Sequence, residues 1–377
     1  MTDPSTQTPP APEAPPAVRR PQFGELAPVF SAASDINPNF LFRSLGGRWI
    51  VMMFFGTLGH GPSQTAFNRA LARRDLFDDA RAQFFGVSYD PADKNERGLK
   101  NSLPGMRYFW DFDQAVSRLY GASVPGGYQP SVFLIDRTLR VAMVDTISNT
   151  ERVLDRLEAY LRDENPAPEY GAPVLTVPRI LEPDFCQALI DYYEDRGGAP
   201  SGFMRAVAGR TVPMLDDNTK KRRDCTIEDQ TLVSGLRYRL NNRLVPMITE
   251  AFLWTATRIE RYIVACYSAE DGGFFRTHRD NTTPGTAHRR FAVTINLNDD
   301  YDGGDLRFPE FGQATHRPPL GGATVFACNL LHEATPVTRG VRYATVPFLY
   351  DEAGAAIRQA NLGTLVSPEE AGLISKP

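Results

Sequence analysis

Two histidines and an aspartate in the second half of the chain have the spacing of a metal-binding group. His278 and Asp280 are two residues apart in FFRTHRDNT. Because side chains alternate along a strand, both should project from one face. His332 follows 54 residues later, after enough strands to return the chain to the same place. Two histidines and one carboxylate on one face of an octahedron define the non-haem Fe(II) oxygenase site, whose open positions suit oxygen chemistry.

Each of these residues also has a structural explanation when it is taken alone. A His-x-Asp triplet is common by chance, and His332 could be a partly buried histidine with a hydrogen-bond partner. The chain has five histidines, and none of the other three, His60, His288 and His316, precedes a carboxylate by two residues. The combination therefore favours a metal site.

Arg342 adds a candidate anion-binding group ten residues beyond His332. An inward guanidinium on the next strand can hold the far end of a dicarboxylate by a bidentate ion pair. Taken alone, such an arginine would usually be solvated or salt-bridged. Beside a metal site, it indicates a pocket for an organic diacid.

Around these residues the sequence resembles the 2-oxoglutarate- and Fe(II)-dependent dioxygenases of the prolyl-4-hydroxylase-like branch. The resemblance implies that His278, Asp280 and His332 bind Fe(II) and that Arg342 binds the distal carboxylate of 2-oxoglutarate. It also implies that Tyr267 hydrogen-bonds the cosubstrate, although a tyrosine here is also compatible with simple barrel packing, and that Asn296 is a pocket residue. The matching segments, within about residues 174–352, are VACY (264–267), HRD (278–280), INLND (295–299), YDGGDLRFP (301–309) and HEATPVTRGVR (332–342).

The resemblance implies a reaction as well as a site. Enzymes of this branch couple the decarboxylation of 2-oxoglutarate, which yields succinate and carbon dioxide, to hydroxylation of an unactivated C–H bond by O2. Fe(II), 2-oxoglutarate and O2 are therefore expected, with ascorbate as an additional reductant. Asp280 favours hydroxylation over halogenation, because related halogenases carry a small residue in place of the carboxylate. The leading substrate is a prolyl residue of a peptide or protein, and a small molecule is the alternative.

The first half of the chain predicts an α/β domain. WIVMMFF (49–55) and AQFFGVSYD (82–90) are typical of buried strands, residues 64–81 have helical spacing, and residues 131–145 predict a hairpin. With GELAPVF (24–30) and LYGA (119–122), these segments resemble a thioredoxin-like fold in its peroxiredoxin form. Such folds often have a cis peptide bond where Pro130 stands, so we predict a cis Gln129–Pro130 bond.

Ser63 falls at or near the position of the peroxidatic cysteine of that family, and the first 185 residues contain no cysteine. A serine hydroxyl cannot reduce peroxide, so we expect a redox-inactive domain. Its expected role is to bind substrate or a partner, or to stabilise the oxygenase.

Length predicts two domains, and the two resemblances imply an N-terminal α/β thioredoxin-like fold and a C-terminal double-stranded β-helix (jelly-roll) with flanking helices. Beyond about residue 258, short apolar segments alternate with Gly, Asp and Pro, which is typical of a β-sandwich or a jelly-roll barrel, and residues 181–198 predict a helix before it. The expected segments are a disordered Pro-rich tail (1–21), the thioredoxin-like domain (22–163), a linker (164–173), the dioxygenase domain (174–355) and a C-terminal tail (356–377).

Charge and hydropathy exclude several classes of protein. The 377 residues carry 41 basic and 45 acidic side chains, a balance that gives no support to nucleic-acid or membrane binding. The longest apolar stretch, residues 49–55, is far too short to span a bilayer, so we expect a soluble, cytoplasmic protein. The basic run at 220–223 is expected to be a solvated face, with a substrate-facing loop as the alternative.

Two other functions stay open at this point. One is a non-catalytic 2-oxoglutarate-binding or scaffold protein, which would bind metal and cosubstrate without forming succinate. The other is a thiol peroxidase, which the missing cysteine argues against and which peroxide consumption with a thiol reductant would support.

Overall fold

The computed structural model describes residues 19–162, 171–367 and 370–372. The chain divides into two compact units, Met1–Glu164 and Asn165–Pro377. Most of the expected Pro-rich tail (1–21), most of the expected linker (164–173) and parts of the expected C-terminal tail (356–377) lie outside the described residues.

The first unit is built around one five-stranded sheet. The strands of the whole unit are β1 (Ser31–Ala32), β2 (Phe40–Leu41), β3 (Trp49–Gly56), β4 (Ala82–Ser88), β5 (Met106–Trp110), β6 (Ser123–Val124), β7 (Gly127–Tyr128), β8 (Ser131–Ile135) and β9 (Val141–Thr146). Its α-helices are α1 (Gly61–Ala72), α2 (Pro91–Asn95), α3 (Ala115–Leu119) and α4 (Thr150–Arg162), with 3-10 turns at Phe42–Leu45, Arg74–Leu76 and Ile147–Asn149.

The strand order of this sheet is β5-β4-β3-β8-β9. The first three strands are parallel, and β8 and β9 form the predicted antiparallel hairpin. Alternate residues of the central strand β3 enter two apolar cores, with Ile50 and Phe54 on one side and Val51 and Phe55 on the other. Helices α1 and α4 cover the second core, which explains why β3 is apolar on both faces. The expected α/β thioredoxin-like architecture is confirmed.

Two local predictions for this unit differ from the structure. Helix α1 ends at Ala72, short of the predicted residue 81, because Asp78 accepts hydrogen bonds from the Ala80 and Arg81 N–H groups in a turn that leads into β4. The predicted cis bond before Pro130 is wrong, since the cis bond among the described residues is Leu103–Pro104. The β6–β7 hairpin already reverses the chain before Pro130.

The second unit is rich in short strands. They are β10 (Leu175–Val177), β11 (Ala199–Pro200), β12 (Phe203–Val207), β13 (Arg210–Met214), β14 (Lys220–Lys221), β15 (Arg223–Thr226), β16 (Arg258–Glu260), β17 (Ile263–Ser268), β18 (Phe274–His278), β19 (Phe291–Asn296), β20 (Asp302–Gly303), β21 (Leu306–Arg307), β22 (Thr315–His316), β23 (Ala323–Ala327), β24 (His332–Ala334), β25 (Val337–Arg339), β26 (Val341–Thr345) and β27 (Phe348–Tyr350). Its α-helices are α5 (Pro183–Arg196), α6 (Gln230–Arg239), α7 (Val245–Phe252) and α8 (Glu352–Asn361), with a π-helical turn at Leu240–Leu244 and 3-10 turns at Pro284–Thr286, Pro309–Phe311 and Leu362–Thr364.

Two antiparallel sheets form the framework of this unit. The larger has the order β10-β23-β19-β26-β17-β15-β11, with β27 pairing both β16 and β19, and the smaller has the order β14-β18-β24-β21-β22. An apolar core joins the larger sheet to the helices through residues such as Leu189 of α5, Leu236 of α6 and Val264 of β17. The expected jelly-roll with flanking helices is confirmed.

The ends of the flanking helices follow local sequence signals. Helix α5 begins at Pro183 and ends before Gly197, whose φ of +72° favours glycine, as predicted. Helix α8 is capped by Asp351, whose side chain accepts from the Gly354 N–H, and it continues to Asn361. The expected domain boundary at residue 355 therefore falls inside a helix.

No helix in the described part of the chain is both long and apolar enough to cross a membrane.

Candidate active site

His278, Asp280 and His332 lie together at one end of the smaller sheet. His278 ends β18 and His332 begins β24, and the two residues are paired across these strands. Asp280 follows β18, and its N–H donates to the Cys328 carbonyl at 3.0 Å. One ligand atom from each residue lies within 4.8 Å of the others, so the group could hold a metal ion. The Asp280 carboxylate lies 3.5 Å from His278 Nε2 and 3.4 Å from His332 Nε2.

Each imidazole is oriented by its own backbone. His278 Nδ1 lies 2.7 Å from the Arg276 carbonyl, and His332 Nδ1 lies 3.0 Å from the Leu330 carbonyl. Because a carbonyl only accepts, both Nδ1 atoms must carry the proton. This orientation leaves Nε2 of each ring as the atom nearest the Asp280 carboxylate and available to bind a metal ion.

The pocket also gives these groups suitable charge states. Burial raises the pKa of Asp280, but the neighbouring His332 and His278 outweigh burial and hold the pKa below its ordinary range. Burial and the nearby His278 lower the pKa of His332 to about 4. An ionised carboxylate beside an unprotonated imidazole is the form that binds a divalent cation near neutral pH.

Arg342 is buried on β26, with a side chain that contacts neutral groups. The residue is 3% exposed. Its Nη2 donates to Thr294 Oγ1 at 2.8 Å and to Asn296 Oδ1 at 3.1 Å, and its Nε also donates to Asn296 Oδ1. A buried guanidinium held by neutral acceptors is suited to bind a carboxylate, because its full charge is available to a ligand.

Tyr267 and Asn296 occupy different places around this arginine. Tyr267 is paired with Arg342 across β17 and β26, and its hydroxyl accepts from Arg222 Nη1 at 3.2 Å. The guanidinium groups of Arg222 and Arg342 lie 5.6 and 5.4 Å from the centre of its ring. Asn296 also donates to the Pro318 carbonyl, and its contacts indicate a residue that orients Arg342.

One pocket connects most of these groups. The three candidate metal ligands, Tyr267 and Arg342 all line it, whereas Asn296 does not. Aromatic rings supply much of its apolar wall, from Phe275, Phe326 and Phe348.

Arg222 of the basic run at 220–223 lines this pocket, a position that sequence reasoning did not predict. Lys220 and Arg222 are 5% and 8% exposed, so the expectation of a solvated face is wrong for both. The physical reason is strand alternation, which buries these two residues and turns Lys221 and Arg223 outwards. The alternation can be recognised in the sequence and could have predicted which two residues are buried. Arg261 also lines the pocket, and no motif marks it.

Glu260 lies next to the site, and its ionisation should make the stability of the fold sensitive to acid. Burial raises the pKa of Glu260, but a 2.6 Å hydrogen bond from His288 and the charge of Arg289 outweigh burial and lower the pKa to about 2. Arg289 also reaches the Asp280 carbonyl at 3.4 Å, which links Glu260 to the candidate site.

The stability that ionised Glu260 provides should be present above about pH 4.5 and lost as the pH falls towards 2. Over this window the unfolded chain binds the proton while the folded chain does not. The lowered pKa corresponds to about 3 kcal/mol in the free energy of unfolding. Denaturant unfolding at several pH values should show that Glu260→Gln is less stable at pH 7 and loses about 3 kcal/mol less on acidification. The exposed Glu250→Gln is the control, and equal acid sensitivity in both variants would contradict the prediction.

Comparison with known families agrees with this geometry. Residues 262–350, which include all six expected site residues, match the model of the 2OG-Fe(II) oxygenase superfamily. Part of the second unit is therefore similar to the 2OG-Fe(II) oxygenases. Residues 23–144 match the AhpC/TSA family model. The resemblances expected for the two halves of the chain are thereby confirmed.

Curated relatives of the oxygenase domain are PKHD-type hydroxylases. One from Synechococcus sp. (strain JA-2-3B'a(2-13)) is 29% identical over 154 residues, which cover 33% of this chain and 68% of the relative. One from Polaromonas sp. is 29% identical over 182 residues, 45% of this chain and 75% of the relative. One from Cupriavidus metallidurans is 35% identical over 96 residues, 22% of this chain and 42% of the relative.

Solved structures similar to this chain correspond to its two halves. A prolyl hydroxylase from Trichoplax adhaerens, in complex with a peptide fragment of hypoxia inducible factor, is 20% identical with a TM-score of 0.37, and the match covers 49% of this chain and 86% of that one. AhpC of Mycobacterium tuberculosis is 20% identical with a TM-score of 0.31, and the match covers 41% of this chain and all of that one.

Proposed function

We propose that this protein is an Fe(II)- and 2-oxoglutarate-dependent dioxygenase that hydroxylates a prolyl residue or another unactivated C–H bond, with release of succinate and CO2. The observation that carries the proposal is the convergence of His278, Asp280, His332 and Arg342 on one pocket. The oxygenase family match and the hydroxylase relatives support the same reaction class.

In this proposal the residues divide the work. His278, Asp280 and His332 would hold Fe(II), and a set of two imidazoles and one carboxylate fits that ion. Fe(II) supplies the activation of O2, and ascorbate would serve as reductant. Arg342, oriented by Asn296, would bind the distal carboxylate of 2-oxoglutarate, while the Tyr267 hydroxyl would hydrogen-bond the same molecule. The apolar pocket wall would limit access of water to the reacting groups.

The first unit has a supporting role in this proposal. Ser63 is fully buried, its hydroxyl donates to the Phe55 carbonyl at 2.7 Å, and its Oγ lies 3.3 Å from His60 Nδ1, so the hydroxyl is held inside the fold. The unit would therefore bind substrate or a partner, or stabilise the oxygenase. The proposal places the enzyme in the cytoplasm, because all four cysteines are free and buried, in keeping with a reducing compartment.

The wild-type protein supplied with Fe(II), 2-oxoglutarate and O2 should release succinate, slowly without substrate and faster with it. Mass spectrometry of prolyl peptides and cell extract should detect the gain of one oxygen atom. Omission of Fe(II) is the control. Tight binding of metal and 2-oxoglutarate without succinate would favour the scaffold alternative. Peroxide consumption with a thiol reductant would instead favour the peroxidase.

A further inference from the structure

A second group of charged residues lies at the pocket, next to Tyr267. This basic cluster consists of Lys220, Arg222, Asp224 and Arg261. Arg222 and Arg261 line the pocket, while Lys220 is buried with its Nζ 4.7 Å from the centre of the Phe275 ring. Lys220 bonds to neutral groups, Ser201 Oγ at 2.7 Å and the Gly202 carbonyl at 2.6 Å.

The cluster has more positive than negative charge. Asp224 is its one carboxylate, and Arg222 occupies both oxygens, with Nε to Oδ1 at 2.7 Å and Nη2 to Oδ2 at 2.6 Å. Arg222 Nη1 donates to the Tyr267 hydroxyl, so most hydrogen-bond donors of the Arg222 guanidinium already have partners. Burial and the neighbouring Arg222 lower the pKa of Lys220 well below its ordinary value.

Arg261 is the member of the basic cluster whose hydrogen-bond donors are only partly used. Its Nη2 shares Asp224 Oδ2 at 3.2 Å, and its Nε and Nη1 have no hydrogen-bond partner among the residues that the structure describes. Its guanidinium lies 5.4 Å from the centre of the Phe348 ring. The neighbouring Arg289 differs, because it is paired with Glu260. Arg261 is 29% exposed, and its guanidinium, with donors still available, lines the same pocket as the candidate metal ligands.

We propose that the primary substrate carries a free carboxylate close to the carbon that is hydroxylated, and that Arg261 binds this carboxylate while Arg222 and Asp224 hold the wall behind it. This inference rests on the proposed function. The guanidinium of Arg261, which lines the same pocket, would serve a second anion, because Arg342 is already assigned to the distal carboxylate of 2-oxoglutarate. An α-carboxylate, as in a C-terminal residue or a free N-acyl amino acid, would satisfy Arg261, whereas a mid-chain amide would leave its charge uncompensated.

Calorimetric titration can test this inference without turnover. The full-length protein is loaded with Mn(II) and 2-oxoglutarate under nitrogen and titrated with N-acetyl-L-proline or with its uncharged amide, N-acetyl-L-prolinamide. We expect the acid to bind at least about tenfold more tightly than the amide, the difference expected for one charge-assisted contact. Arg261→Gln should remove this preference, and Arg261→Lys should keep part of it. Arg258→Gln, an exposed arginine paired with Glu352, should leave the preference unchanged.

Several outcomes would overturn the inference. They are equal binding of acid and amide, no binding of either, or a preference that survives Arg261→Gln. A weakening of 2-oxoglutarate binding in Arg261→Gln with no change in the acid-to-amide ratio would assign Arg261 to the cosubstrate. Unfolding curves check that each variant folds, and the wild-type comparison of acid with amide needs no variant. Succinate release tests the proposed function separately, so the two failures are distinguishable.

Discussion

Replacing Asp280 with alanine should lower Fe(II)-dependent succinate formation by more than about 100-fold. Mutation of a residue that only hydrogen-bonds a metal ligand costs up to about 100-fold, and loss of a ligand itself should cost more. Asp280 supplies the anionic oxygen of the group, 3.5 Å from His278 Nε2 and 3.4 Å from His332 Nε2. Without it, the remaining imidazoles would bind a divalent cation weakly. We therefore expect metal binding and turnover to be lost together.

Metal affinity and succinate release should both be measured for Asp280→Ala. Two variants complete the set: His332→Ala should resemble Asp280→Ala, and His60→Ala, in the other unit, should resemble the wild type. Wild-type turnover by Asp280→Ala would refute the assignment of the metal site. Weak metal binding with full turnover at saturating Fe(II) would show that Asp280 is replaceable.

Replacing Arg342 with methionine should weaken 2-oxoglutarate binding by about 2 to 5 kcal/mol, roughly 30-fold to several thousandfold. The arginine is 3% exposed, and its hydrogen-bond partners are Thr294 and Asn296. Because burial of a charge without an ionic partner is unfavourable, the ligand-free variant should be at least as stable as the wild type. The same substitution should leave metal affinity unchanged.

Thermal and denaturant unfolding with and without 2-oxoglutarate can separate these effects. At 100 times its dissociation constant, 2-oxoglutarate should stabilise the wild type by about 2.7 kcal/mol and should hardly stabilise Arg342→Met at the same concentration. Arg339→Gln is the matched control, since Arg339 is exposed and paired with Asp302. Equal protection of wild type and Arg342→Met would place the diacid elsewhere.

Sequence reasoning succeeded where the relevant spacing is local. The i, i+2 spacing of His278 and Asp280 predicted their proximity, and the position of Arg342 predicted an inward side chain. Sequence reasoning was weaker where the role of a residue depends on the direction of its side chain. Asn296 was expected in the pocket, but its amide bonds to Arg342 and to the Pro318 carbonyl.

The basic cluster shows why other parts of the site were not predicted. Lys220 and Arg222 were interpreted as one charged run, although alternation buries every second residue of a strand. Arg261 reaches the pocket from the turn between β16 and β17, at a φ of +67°. Its position depends on pairings far apart in sequence, such as β16 with β27, so no short motif could reveal it.

The backbone contacts of the two histidines have an evolutionary consequence. Each ring takes its orientation from a carbonyl two residues earlier in the same segment. Mutations that reshape the surrounding walls would therefore leave the tautomers intact. Such an arrangement lets descendants of one ancestral barrel acquire new substrates while they keep the same reactive centre.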